Sequence, residues 1–287
     1  MHAPGVQTFL PAHDYDLAAT LTSGQAFRWE LREGWWEGVI GEHWVRLRSR
    51  AGGIAAETCA QQDDWRWLAE YLQTGLELNS VLLSFPDDEP MRASVVACRG
   101  LRLLRQDPWE CLASFILSST KQIVQIRQII GLLCARFGAT LLAPPGHEPV
   151  YGFPAPERLA AASEAELRAC KMGFRAPNLL ATARQVAGGQ TDLHRLRSDT
   201  VDAARERLLQ FPGVGVKIAN CVLLFAYGFQ QAFPVDVWVM KALRQLYFPK
   251  RRPSPARLRH FVNTHFGANA GYAQQYLFHY MRTRSRR

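Results

Sequence analysis

Two residues of this chain could share one piece of covalent chemistry, and the segment leading to the first of them could hold a phosphate. Lys217 closes the run Phe211-Pro212-Gly213-Val214-Gly215-Val216-Lys217, and Asp236 follows 19 positions later within Phe233-Pro234-Val235-Asp236-Val237. A lysine amine can attack an electrophilic carbon, and a fixed carboxylate can stabilise positive charge that develops nearby. Thr200 to Gln210 reads as a helix with Val201, Ala204, Leu208 and Leu209 on one face, which Pro212 stops; a second helix restarts at about Val216. Gly213 and Gly215 flank a single residue, so the chain can take positive φ there and bare amides can approach an anion. With Ile218 in its first turn, the second helix turns its positive end to the same place. A phosphate gripped by such amides sets register and carries no base information.

The surroundings of the two candidates sharpen the reading. Lys217 lies in a first turn, where the helix dipole disfavours an ammonium, among Val216, Ile218 and Ala219, which offer little water. Asp236 opens the periodic run Val237, Met240, Leu243, Leu246, Tyr247 and so reads as an N-cap. A capping carboxylate is fixed in space, which suits a group that must face a cationic sugar in a transition state. Each feature also has an ordinary role: a turn between core helices, a lysine whose stem lies along apolar surface, an aspartate that only caps.

The pattern FPGVGVKIAN followed by FPVDV resembles the helix-hairpin-helix DNA glycosylases with a lysine nucleophile. The segments TSGQAFRWE, LRLLRQDPWECLASFILSS, KMGFRAPNLL and GYAQQYLF narrow the likeness to the 8-oxoguanine DNA glycosylase family, over Leu21 to Phe278. The resemblance implies a DNA N-glycosylase with AP lyase activity in base excision repair. Its partner is damaged double-stranded DNA; no small-molecule cofactor or metal is expected, and the chain is expected to be a monomer. It implies Lys217 as nucleophile and Asp236 as stabiliser of the cationic sugar. Gly213, Gly215 and Ile218 would serve the phosphate grip, with Phe174 as wedge and Arg175 at the opposite base. Cys221 shares a helix face with Lys217, and Gln274 and Phe278 stand four apart on a late helix. In the family these positions sandwich the flipped base, Gln274 meeting its Watson-Crick edge. Oxidation turns guanine N7 from an acceptor into an N–H donor, so the site must offer an acceptor; by resemblance this is the carbonyl of Gly24.

The chain also departs from the family. Thr120-Lys121-Gln122 stands where animal members have asparagines, and Gln125 where they have an arginine, so selectivity for cytosine opposite the lesion does not carry over. Trp238 replaces a phosphate-binding histidine, and Met281 an acidic residue. Two rival readings are a glycosylase of the same fold for another damaged base and a non-catalytic DNA-binding module. Alkyl-purine relatives lack the hairpin lysine, and a binding module would need no Lys217 and Asp236 pair.

Composition agrees. The chain has 287 residues, 48% of them hydrophobic, enough for one or two folded domains. Residues 237–287 hold 11 of the 34 Lys and Arg and none of the 25 Asp and Glu, so the last fifth carries the positive excess. That asymmetry fits a nucleic-acid face, with Lys250, Arg251 and Arg252 in a loop and Arg282, Arg284, Arg286 and Arg287 in a tail that reads as solvated. Six scattered cysteines form no C-x-x-C pair and so no zinc or iron–sulfur signature. With no signal segment and no long apolar run, the expectation is an intracellular, DNA-associated protein with reduced thiols and no membrane contact.

The expected fold is α+β, an N-terminal antiparallel β-sheet domain over 1–95 followed by a helical domain over 96–287, with the helix-hairpin-helix at 200–228. Strands are expected at Ala26–Leu31, Trp35–Ile40, Trp44–Arg48 and Leu76–Phe85, and a helix at about Asp63–Leu72. Asp107-Pro108-Trp109-Glu110 and Ser163-Glu164-Ala165-Glu166 read as capping boxes, and Gly138, Gly173 and Gly188 as helix stops.

Overall fold

The computed structural model describes residues 5–119, 122–250 and 253–284. Strands β1 (Val6–Pro11), β2 (Glu30–Arg32), β3 (Trp35–Ile40), β4 (His43–Arg50) and β5 (Gly53–Thr58) form one antiparallel sheet in the order β1-β5-β4-β3-β2. β2 to β5 run as a meander, and β1 closes the far edge by pairing with β5, Val6 opposite Thr58. Helix α1 (Leu17–Thr22) follows β1, and its N-cap Asp16 accepts the Ala19 N–H at 2.8 Å. Helices α2 (Arg66–Leu72), α3 (Leu78–Leu82) and α4 (Glu89–Cys98) lead out of the sheet.

The helical part comprises α5 (Pro108–Leu117), α6 (Ile123–Phe137), α7 (Pro156–Ala160), α8 (Glu164–Ala169), α9 (Ala176–Ala187), α10 (Val201–Leu208), α11 (Val216–Val222), α12 (Val237–Ala242), α13 (Pro255–His265) and α14 (Ala270–Arg284). Local chemistry sets most of the starts. Asp107 accepts the Glu110 N–H, with Pro108 at the first helical position, and Ser163 and Glu166 cap one another reciprocally. Gly138 and Gly188 close α6 and α9 as expected, whereas Gly173, at φ +61°, begins a short turn ahead of α9.

Two expectations about the first part are corrected. Leu76–Phe85 is not a strand: it contains α3, with Leu78, Val81 and Phe85 buried. Their spacing of three and four follows the period of a helix, and the run of apolar residues hid it. The sheet also has two strands beyond those expected. β5 is alanine-rich and poor in β-branched residues, so its propensity signal is weak. Of the segment Ala26–Leu31 only the end joins the ladder, as β2.

Two cores share the molecule. One packs the inner face of the sheet against α1 and α2 through Trp29, Val45, Leu47, Ile54, Leu68 and Leu72. The other fills the helical part and also takes Leu78, Val81 and Phe85. Between them runs the extended segment 101–106, with Leu103 in the helical core and Leu104 in the sheet core. Arg102 there is 1% exposed, and its guanidinium donates through both terminal nitrogens to the carbonyls of His13, Asp14 and Gly100 at 2.9–3.1 Å, which offsets part of the cost of burying the charge. The Gln106 N–H donates to the Phe225 carbonyl and its side chain to the Gln25 carbonyl, so this segment ties the turn after α1 to the end of the α11 region.

Candidate active site

The hairpin forms where the sequence places it. α10, capped by Thr200, ends at Leu208, and α11 begins after Gly215. Gly213 has φ +79°, the left-handed conformation that favours glycine. Gly215 does not: it is the extended N-cap residue at φ −99°, and its lack of a side chain leaves the amides of the first turn uncovered. The first helical bond is Ala219 N–H to the Gly215 carbonyl, so the N–H groups of Val216, Lys217 and Ile218 lie ahead of the ladder, at the positive end of the dipole. The Ile218 side chain is buried, which anchors this end to the core, while Gly213 and Gly215 are exposed.

Lys217 leaves the first turn of α11 half-buried, with Nζ donating to Ser118 Oγ at 3.4 Å and lying 5.4 Å from the centre of the Phe115 ring. The Ser118 hydroxyl spends its proton on the Phe115 carbonyl, so its lone pairs face the amine. Phe115 in turn stacks on Phe225, centroids 5.6 Å apart, giving an aromatic wall beside the lysine.

Asp236 caps α12, with Oδ1 accepting the N–H groups of Trp238 at 3.0 Å and Val239 at 2.8 Å. Burial raises its carboxyl above the ordinary carboxylate range, while the Val239 N–H and the Lys217 charge act in the opposite direction. Burial likewise pushes the Cys221 thiol up to about 12, so this sulfur is a neutral, soft surface.

Lys217, Asp236, Cys221, Gly24, Gln274 and Phe278 line one cavity of about 50 Å3. Larger concavities, of up to about 550 Å3, lie where the sheet meets α5, away from both candidates. Gly24 reaches the cavity from the other half of the fold at φ +80°, and a Cβ there would come 3.2 Å from Ile123 Cδ1 and 3.3 Å from Phe278 Cε1. Gln274 is 3% exposed, and its Oε1 has no hydrogen-bond partner among the described residues. A buried carbonyl oxygen left unpaired marks a place for a donor from outside.

The other expected residues stand apart from this cavity. Phe174 projects from the turn before α9, 61% exposed. Arg175 points inward: it is 3% exposed, its guanidinium lies 4.2 Å over the Phe174 ring, and it donates to the carbonyls of Ser119 and Met172. Gln122 and Gln125 form a capping box at the start of α6, so the Gln125 oxygen holds the Gln122 N–H. Thr120, Lys121, Arg251, Arg252, Arg286 and Arg287 lie outside the described residues. Trp238 is half-buried with the Lys241 amine 5.4 Å from its ring centre, and Met281 is buried. Arg282 departs from the reading of a solvated tail, because it donates to the Thr22 carbonyl at 3.0 Å.

Four further residues shape the site and had no expected role. Ser118 and Phe115 border the amine, Phe225 backs Phe115, and Gln275 donates to the Ser23 carbonyl at 3.0 Å. Nothing in the sequence singles out Gln275 beyond its place directly beside Gln274.

Comparison with known proteins accounts for both halves of this arrangement. Residues 8–112 match the family model of the 8-oxoguanine DNA glycosylase N-terminal domain, and residues 113–265 that of the HhH-GPD superfamily base excision DNA repair proteins. Fold and site together define a base-excision repair protein of the HhH-GPD class. The chain is 30% identical to a probable N-glycosylase/DNA lyase of Methanothermobacter thermautotrophicus over 95% of each chain. It superposes on the apo-form of the Clostridium acetobutylicum 8-oxoguanine glycosylase/lyase with a TM-score of 0.89, 30% identity and 98% of each chain covered. A structure of MBOgg1 in complex with a low affinity DNA ligand gives a TM-score of 0.92, 30% identity and 99% coverage of each chain. This chain belongs to the 8-oxoguanine DNA glycosylase family of N-glycosylase/DNA lyases.

Proposed function

We propose that this chain excises 8-oxoguanine from duplex DNA and then cuts the strand at the resulting abasic site, using Lys217 as nucleophile. The observation that carries the reading is the shared cavity, in which an amine and a capped carboxylate meet Gly24, Cys221, Gln274 and Phe278. The amides of Val216 to Ile218 with Gly213 and Gly215 grip a phosphate, which fixes register without reading sequence. Phe174, exposed and bulky, fills the gap left by the flipped nucleotide, with the buried Arg175 guanidinium stacked on its ring. The base lies between Cys221 and Phe278, its Watson-Crick edge donating to the unpaired Gln274 oxygen. The Gly24 carbonyl accepts the N7–H that distinguishes 8-oxoguanine from guanine. At about 50 Å3 the cavity is too small for a purine, so it widens as the base enters.

Asp236, ionised, stabilises the oxocarbenium character that grows as the glycosidic bond breaks. Lys217 Nζ bonds to C1′ in its unprotonated form, and the bond's electron pair leaves with the base, which takes up a proton. Opening of the sugar ring gives the protonated imine. The imine draws electrons from C2′, a C2′ proton is removed, and the 3′ phosphate departs by β-elimination; hydrolysis then frees the lysine. The DNA-facing role extends to the basic C-terminal fifth, which supplies sequence-independent affinity. Among the described residues no helix is long and apolar enough to cross a membrane.

A panel of duplexes carrying 8-oxoguanine, oxidised pyrimidines or alkylated purines, each opposite the four bases, tests the proposal. Release of 8-oxoguanine with strand scission supports it. Preference for another lesion, or binding without release from any duplex, refutes it.

A further inference from the structure

α14 grips the turn that carries Gly24. Gln275 is 2% exposed and donates from Nε2 to the Ser23 carbonyl at 3.0 Å. Two helical turns later Arg282 donates to the Thr22 carbonyl at 3.0 Å, with its guanidinium 5.9 Å from the centre of the Phe278 ring. Residues seven apart lie on one side of a helix, so the helix that bears Gln274 and Phe278 holds two successive carbonyls just before Gly24. From the far side Gln25 completes the hold. Its amide donates to the carbonyls of Thr20 and Arg102 and accepts the Leu104 N–H, all within 2.9 Å.

Gly24, at φ +80°, has no side chain to anchor it, so its peptide plane is oriented by these neighbours. An acceptor that must tell one N–H from its absence is useful only if it is held in place, because discrimination rests on directed hydrogen bonds. We infer that Gln275, assisted by Arg282, is a positioning residue for lesion recognition, fixing the Gly24 carbonyl relative to Gln274 and Phe278. The inference rests on the role given to Gly24 above. The Lys217 and Asp236 chemistry does not depend on it, since a preformed abasic site has no base to recognise.

That independence supplies the test. Gln275→Met keeps the volume and removes the donor, leaving the buried Ser23 carbonyl unpaired. Single-turnover excision of 8-oxoguanine slows by roughly tenfold to a hundredfold. Strand cleavage at a preformed abasic site stays within about twofold of the wild type, a split that simple loss of folded protein cannot produce. Arg282→Met is the companion variant for the case where Gln275→Met does not fold. It produces the same split with a smaller loss. Excision at the wild-type rate in the folded variants, or equal losses of excision and abasic-site cleavage, overturns the inference while leaving the proposed function intact. A wild-type protein that releases no 8-oxoguanine overturns both.

Discussion

Asp236→Asn separates the structural duty of this residue from its chemical one. The carboxyl accepts two N–H bonds through Oδ1, and an asparagine oxygen can accept the same two. Asparagine and aspartate cap helices about equally well, so the start of α12 survives the change. What is lost is the preorganised negative charge that the proposed mechanism sets beside the reacting sugar. Removing one such electrostatic group costs turnover about 10²–10³-fold, or about 2.7–4 kcal/mol. Stability moves the other way. Burial raises the Asp236 pKa, so the fold penalises the ionised form. This penalty is present at neutral pH and fades as pH falls through the raised pKa, where the carboxyl protonates in the folded state. The variant therefore melts at or above the wild-type temperature near pH 7, and the difference shrinks in acid. Single-turnover excision and thermal melts across pH measure both. A variant that loses activity and melting temperature together, or one that excises at the wild-type rate, refutes the reasoning.

Three other outcomes follow from the geometry. In the wild type, excision on the acid side falls as Asp236 takes up its proton, at a pH above the ordinary carboxylate value of about 3.9, and a pH–rate profile that is flat there contradicts this. Gly24→Ala forces an L-residue to φ +80° and presses its methyl on Ile123 and Phe278; 8-oxoguanine excision drops sharply while cleavage of a preformed abasic site persists, as a gel assay of both substrates shows. Gly213→Ala places a side chain at φ +79° with its methyl 2.6 Å from Asn178 Nδ2 and 3.0 Å from Asn178 Cβ, so the conformational cost of about 1–2 kcal/mol is a lower bound, read as a lower melting temperature together with weaker binding to undamaged duplex.

The parts legible in the sequence are those set by neighbours along the chain. Pro212 stops α10, Gly213 turns the hairpin, and Asp236 caps α12, each through contacts within a few residues. The same local rules failed at α3, where an apolar run obscured a helical period, and at β5, where alanines gave no strand signal. They also could not give Gln275, whose partner Ser23 is 252 positions away and whose residue type suggests a surface. Arg175 shows the same limit: only the fold reveals that its guanidinium turns to the carbonyls of Met172 and Ser119. Of the six predicted residues that line the cavity, four come from α11, the start of α12 and the Gly24 turn, and their convergence depends on segment 101–106, which no periodic pattern announces.

The claim on which the mechanism stands is that the Lys217 amine becomes covalently joined to the sugar. Borohydride reduction during reaction with an 8-oxoguanine duplex traps that bond, and peptide mapping by mass spectrometry locates it. A DNA adduct on Lys217, absent in Lys217→Gln, is the predicted result; an adduct on any other residue, or one of undiminished yield in Lys217→Gln, contradicts it.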